Sequence, residues 1–455
     1  MVEARLPGSF RDPAGHVFLQ DGIVYRRIHA AGIASYRQLI DSGLYAALVA
    51  GRLLVSHEEG VSDPDGGIVL RPQQIPMVSY PYEWSLSQLR DAALVTLRAQ
   101  KTALRFGMVL KDASAFNVQF LDGRPILVDT LSFEPYRGGG WVAYRQFCQH
   151  FYAPLAVAAA HDPRLLRLES LFIDGLPLAV ASSLLPRVSY VRPGPLFHIH
   201  LHAKAEQKWS RGTPAPVRPE AQSSSTRAVE ALTESLERAV SSVSWTSRSS
   251  WSEYYEAGES YSSQAFAAKA AIVNGWIAQV APTRVWDLGA NTGHFSKAAA
   301  ERGALAIAFD SDPACVDTLY REVREQRITG VLPLVLDLAN PSTGIGWAGD
   351  ERMSLEARGP ADLLLALAVT HHLAIGNNVP LPSIADYFSR LGRRLIVEFV
   401  PKADPMVQQM LRSREDVFSD YGEAAFERAF GARFTIDARS VVAPSDRVLY
   451  LMTAR

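Results

Sequence analysis

Two folds in one chain are predicted: a doubly wound α/β sheet over residues 251–455 and, before it, an α+β domain over residues 1–202. Three observations lead there. After about residue 260, short apolar runs alternate with helix-length stretches, the pattern of a parallel sheet covered by helices on both faces. Before residue 203 the order differs, with hairpins and long helices in blocks. Between them Ser210–Arg227 (SRGTPAPVRPEAQSSSTR) is rich in proline and serine and poor in apolar residues, so it reads as a linker.

Composition narrows the function classes. A length of 455 residues suits two or three domains. Lysine plus arginine total 46 against 47 acidic residues, a net charge of −1, so no strong nucleic-acid signal is present. Cys148 and Cys315 are too few and too far apart for a disulfide framework and suit a cytoplasmic, reducing setting. No apolar run reaches the roughly 20 residues of a membrane span. The start, MVEARLPGSFRDPAGH, lacks the apolar centre of a signal peptide.

The elements follow in order. His16–Ile28 reads as a hairpin turned at Asp21-Gly22, Tyr36–Leu54 as a helix and Gln74–Tyr80 as a strand. A long helix starts at Ser85, where SLSQ forms a capping box with Gln88, and runs to about Phe106 with Leu89, Ala93, Leu97 and Leu104 on one face. Asn117–Asp129 is a second hairpin turned by Asp122-Gly123, and Trp141–Leu185 is mostly helical. Residues 203–250 are a linker carrying a short amphipathic helix, Thr226–Val240. Arg284–Leu288, Leu305–Phe309, Val331–Leu336, Asp362–Ala368 and Leu395–Phe399 are the strands of the second part. Gly293–Arg302, Pro313–Glu325, Pro382–Leu391 and Pro405–Phe418 are its helices, and Arg447–Thr453 closes the sheet as an antiparallel partner of Arg433–Asp437.

The strongest chemical signal is VWDLGANTGHFS, Val285–Ser296. A strand ends at Asp287, and Gly289, Ala290, Asn291 and Gly293 turn the chain into a helix, where glycine lets a ligand approach the backbone. The second strand ends in Asp310-Ser311, placed to accept ribose hydroxyls, and the third in Asp337-Leu338, placed at an adenine. A dinucleotide site wants G-x-G-x-x-G, which this loop lacks. Together these residues resemble the class I S-adenosylmethionine-dependent methyltransferases, over roughly residues 250–455. The resemblance implies a Rossmann-like sheet, S-adenosylmethionine as cofactor and a loop that holds its methionine part.

The fourth strand ends at Thr370-His371-His372, where such a fold brings acceptor and methyl group together. His372 is the candidate general base and Glu398, after strand five, the residue that orients it or holds the acceptor; ordinary structural hydrogen bonds are the alternative for both. Tyr255, Tyr261 and Lys269, in the leader before the first strand, are candidate cofactor contacts, with packing on the sheet edge as the alternative.

The first part carries KDASAFNVQFLDGRPILVD, Lys111–Asp129. The spacing of Asp112, Asn117 and Asp129, with a hairpin between the last two, resembles the protein-kinase-like phosphotransferase core. Tyr80–Trp84 (YPYEW) resembles the hinge between lobes. The resemblance implies Asp112 as the catalytic acid–base residue, Asn117 and Asp129 as magnesium ligands, and ATP with magnesium as cofactors. The chain departs from that pattern: it has no glycine-rich phosphate loop, no Phe-Gly after Asp129 and no glutamate in Tyr36–Leu54. Arg26 and Arg27 are the nearest cations to the missing nucleotide lysine. The histidines of FHIHLH, Phe197–His202, lack an acidic or cysteine partner, so packing is preferred over a metal site.

The two resemblances together imply a methyltransferase acting on a small-molecule or glycan-type acceptor. Its alternatives are a bifunctional kinase–methyltransferase and a non-catalytic cofactor-binding scaffold.

Overall fold

The computed structural model describes residues 4–60, 67–211, 226–245, 263–412 and 415–455. The chain forms two compact units, Met1–Thr246 with Ile345–Arg352, and Ser247–Gly344 with Met353–Arg455. Residues 212–225 and 246–250 of the expected linker and the leader tyrosines Tyr255 and Tyr261 lie outside the described residues.

The first unit holds a five-stranded antiparallel sheet, β1 Ala4–Arg5, β2 Gly15–Gln20, β3 Ile23–Ile28, β4 His57–Glu59 and β5 Ile68–Pro72, in the order β1-β2-β3-β5-β4. Asp21 and Gly22 both have positive φ, so their twist matches the hairpin they close. The single helix expected over Tyr36–Leu54 is two, Ala30–Asp41 and Leu44–Ala50. Gly43, at φ 83°, separates them, and the amides of Ser42 and Gly43 turn back onto the first helix's carbonyls. Gln74–Tyr80 forms no strand. Pro76 interrupts that stretch, and the Gln74 side chain instead bonds the Val24 backbone on both its N–H and its carbonyl.

The capped helix is Leu86–Arg105, with Ser85 and Gln88 bonding each other's backbone as expected. It packs along the helix Thr226–Ser241, with Lys101 and Glu237 paired at 3.0 Å. Two short pairs follow, β6 Met108–Leu110 with β9 Phe133–Pro135, and β7 Val118–Leu121 with β8 Arg124–Leu127. Residues Ile345–Arg352 complete this unit: Arg11 holds the buried Glu351 carboxylate at 2.7 Å, and the Arg352 guanidinium lies 4.3 Å from the Phe116 ring centroid.

The second unit is the Rossmann-like doubly wound sheet. Its strands are β10 Arg284–Leu288, β11 Leu305–Asp310, β12 Val331–Val335, β13 Ala361–Ala366, β14 Gly392–Phe399, β15 Phe434–Val441 and β16 Val448–Ala454. They lie in the order β12-β11-β10-β13-β14-β16-β15, the first five parallel and the closing pair antiparallel. Val285, Leu363, Leu365, Ile396, Leu449 and Leu451 pack under Val273, Ile277 and Phe295. The reversal of strand order between β10 and β13 opens the crevice where ligands bind in such sheets.

The helix expected over Pro405–Phe418 stops at Leu411, and a helix that the sequence reading passed over, Glu423–Gly431, follows. Phe426 and Phe430, four apart, fix it: their rings stack at 4.2 Å between centroids and face Phe399, Tyr450 and Phe434.

Candidate functional site

The glycine loop of the second unit folds as its sequence requires. Gly289, Asn291 and Gly293 have φ of 83°, 51° and 76°. The amides of Gly289 and Ala290 both donate to the Phe309 carbonyl at 2.8 Å, which ties the loop to β11. Asp310 then does something sequence reasoning missed. Its Oδ2 accepts from the Asn291 amide at 2.7 Å and its Oδ1 from the Asp312 amide at 2.9 Å. The carboxylate therefore shapes the loop while standing at the carboxyl end of its strand.

Asp287 is buried and accepts from Ser296 Oγ at 2.7 Å. Burial pushes the Asp287 carboxyl up to about 6, against the Ser296 hydrogen bond. Burial likewise raises Asp310 to about 6, against its bonds from the Asp312 and Asn291 amides. Asp337, half-buried, accepts from the Ala339 amide at 2.9 Å. Ser311 is exposed and Leu338 half-buried beside these acids. The three acids thus stand at the carboxyl ends of three adjacent strands, around one loop.

A second group gathers at the same edge. Lys269 Nζ, on the helix Ser263–Val280, donates to Glu398 Oε2 at 2.7 Å at the end of β14. Arg447, just before β16, lies 3.8 Å from Glu398 and bonds Asp404 at 2.7 Å. All four side chains are at least nine-tenths buried and alternate in sign. Sequence reasoning found Lys269 and Glu398 but paired neither with the other, and it missed Arg447 and Asp404. His371 is buried and His372 half-buried in the turn after β13. Burial, then the charge of Arg447, holds the His372 imidazole below its ordinary value.

In the first unit, Asp112, Asn117 and Asp129 come together. Asn117 hydrogen-bonds Asp112 and donates to Ser132 Oγ at 3.3 Å, and Ser132 Oγ donates to Asp129 Oδ2 at 2.5 Å. Asp112 accepts from the Ser114 amide and from Gln146, and its carboxyl is raised by burial and then by the charge of Asp129. Arg26, on β3, pairs with Asp129 Oδ1 at 2.5 Å. His198 bonds Tyr144 and Ser235, and His200 bonds Ser182 and Ser189, so both rings are spent on hydroxyls. Among the described residues, no group of three or more His, Cys, Asp or Glu has the geometry to hold a metal ion. No helix among them is long and apolar enough to cross a membrane.

Comparison with known proteins decides the family. The nodulation protein NoeA of Rhizobium meliloti (strain 1021) is 36% identical over 468 aligned residues, which cover 98% of this chain and 95% of NoeA. The chain belongs to the NoeA family. No protein-family model matches it. Among solved structures, the magnesium protoporphyrin IX methyltransferase ChlM from Synechocystis, with bound S-adenosylhomocysteine, is 17% identical at a TM-score of 0.32, over 42% of this chain and 86% of ChlM. The bifunctional kinase–methyltransferase WbdD is 17% identical at a TM-score of 0.28, over 41% of this chain and 38% of WbdD. Likenesses this distant carry no functional argument, so the chemistry of this NoeA-family chain rests on its own site.

Proposed function

We propose that the second unit binds S-adenosylmethionine and transfers its methyl group to a small-molecule or glycan-type acceptor. The observation that carries this reading is the set of three acids around the glycine loop. Asp310 would take the ribose hydroxyls, Asp337 the adenine edge, and Asp287 with Gly289, Ala290, Asn291 and Gly293 the methionine part; Ser311 and Leu338 would flank the nucleoside. The donor set fits the group, since carboxylates and loop amides suit ribose, adenine and amino-acid polar groups; a Cβ at Gly289 would stand 2.5 Å from Val369, so only glycine lets the loop pass this close to the turn after β13. When bound, the sulfonium supplies an activated methyl carbon. The chain's part is to hold donor and acceptor in line and to exclude water, which the buried Lys269–Glu398–Arg447–Asp404 chain favours by tying four elements together. The turn after β13, which carries His371 and His372, and Glu398 at the end of β14 stand on the side proposed to receive the acceptor.

Replacing Asp310 with alanine removes a charged acceptor, a loss of roughly 1.5–3 kcal/mol, or about 10- to 150-fold in Kd. It also frees the Asn291 amide. Calorimetric titration with S-adenosylmethionine checks this, and unchanged affinity would overturn the placement of the ribose.

The same acids set a pH dependence. Hydroxyl donors favour an ionised Asp310, so affinity should be flat above about pH 7 and fall through the raised value near 6. For one such group Kd is about tenfold higher at pH 5 than at pH 7. Stability of the ligand-free unit runs the other way. Each carboxyl binds its proton more tightly folded, near 6, than unfolded, at about 3.9. Their ionisation thus costs the fold stability above about pH 6, and the cost vanishes below about pH 4.

For the first unit we propose a kinase-like fold. The strand order β1-β2-β3-β5-β4, the two helices between β3 and β4, and the gathering of Asp112, Asn117 and Asp129 support it. Asn117 and Asp129 offer the oxygen donors magnesium prefers. Arg26, however, already holds Asp129 Oδ1, and among the described residues no glycine-rich loop stands ready for phosphates. These residues do not fit ATP and magnesium as they stand, and no phosphoryl-transfer step is assigned to them.

A further inference from the structure

The turn after β13 contains two buried polar atoms with no hydrogen-bond partner, Thr370 Oγ1 and His371 Nδ1. Thr370 is 0% exposed and His371 2%. An unpaired buried polar group costs about 1–3 kcal/mol, so two in adjacent residues mark a place shaped for something else. That place adjoins the glycine loop, because Val369, the residue before them, is the side chain that a Cβ at Gly289 would strike. It also lies within the field of Lys269, on the helix Ser263–Val280, and of Arg447, just before β16.

We propose that Thr370 Oγ1 and His371 Nδ1 hold the hydroxyl of a neutral acceptor, and that His371 takes its proton during methyl transfer. This rests on the methyltransferase reading above. The pair matches one hydroxyl: Nδ1 accepts when the ring proton sits on Nε2, and Oγ1 donates to the acceptor oxygen. The acceptor oxygen bonds to the methyl carbon as the carbon–sulfur bond breaks, the electron pair of that bond stays on sulfur, and the hydroxyl proton passes to Nδ1. One positive charge disappears from sulfur as one appears on the imidazole, so the net charge of the buried pocket is unchanged through the step. Burial, His372, Arg447 and Lys269 keep the ring well below its ordinary value, and therefore neutral at neutral pH, so that it takes the proton only as the sulfonium charge is lost.

The test uses the full chain and needs no acceptor. Calorimetric titrations with S-adenosylmethionine and S-adenosylhomocysteine compare a positive donor with its neutral product. A fixed positive charge in His371→Lys should weaken the first relative to the second by roughly tenfold, and His371→Glu should shift the ratio the opposite way. Ratios unchanged in both variants, with the wild-type ratio measured normally, would place His371 away from the sulfonium and overturn the proposal while leaving the cofactor site standing. Should a buried charge prevent folding, His371→Leu decides. Removing an unpaired polar atom should raise Tm with S-adenosylhomocysteine affinity unchanged, whereas a histidine that packs for structure would lower Tm on replacement and sink the proposal.

Discussion

Lys269→Ala should cost the second unit about 3–5 kcal/mol of stability, the loss typical when one partner of a buried ion pair is removed. Lys269 and Glu398 are both buried and 2.7 Å apart. Burial pushes the Lys269 amine down, and the Glu398 carboxylate opposes that shift. Without the lysine, Glu398 loses its 2.7 Å partner and keeps Arg447 at the longer distance of 3.8 Å. The helix Ser263–Val280 would also lose its tie to β14, along with the contact of Lys269 with the Phe295 ring. The double variant Lys269→Met with Glu398→Leu should recover much of the loss, because no buried charge is then stranded. Urea unfolding of the single and double variants checks both parts. A single variant as stable as the wild type would mean that the pair is solvated.

Gly289→Val should abolish S-adenosylmethionine binding and leave the unit folded. At φ 83° a β-branched residue is strained, at a cost of about 1–3 kcal/mol. Its Cβ would stand 2.5 Å from Val369 Cγ2, which forces the loop and the turn after β13 apart. Both sides of the proposed cofactor crevice move together, so the loss in binding exceeds the loss in stability. A calorimetric titration beside a thermal melt separates the two, and normal binding by a folded variant would remove the loop from the site.

Much of this architecture was legible because it is local. Asp21-Gly22 and Asp122-Gly123 close hairpins with their own backbone preferences, and Ser85 and Gln88 cap a helix within one turn. The strands β10 to β14 announce themselves as apolar runs because both faces of the sheet are covered. The glycine loop and the acids that follow it were legible for the same reason, since each sits at the end of its own strand. What escaped depends on partners far away in sequence. Lys269 meets Glu398 across 129 residues, and Arg26 meets Asp129 only because β3 folds over the turn after β8. The break at Gly43 was hidden by an apolar pattern that continues on both sides of it. The allegiance of Ile345–Arg352 to the first unit has no periodicity to betray it, since contacts such as the Arg11–Glu351 ion pair and the Arg352 guanidinium on the Phe116 ring join residues far apart in sequence.

Titration of the full chain with S-adenosylmethionine tests the central claim most directly. One saturable site with micromolar-range affinity is expected, weakened in Asp310→Ala and absent in Gly289→Val. No saturable binding by the folded wild-type chain, or equal affinity in all three proteins, would contradict it.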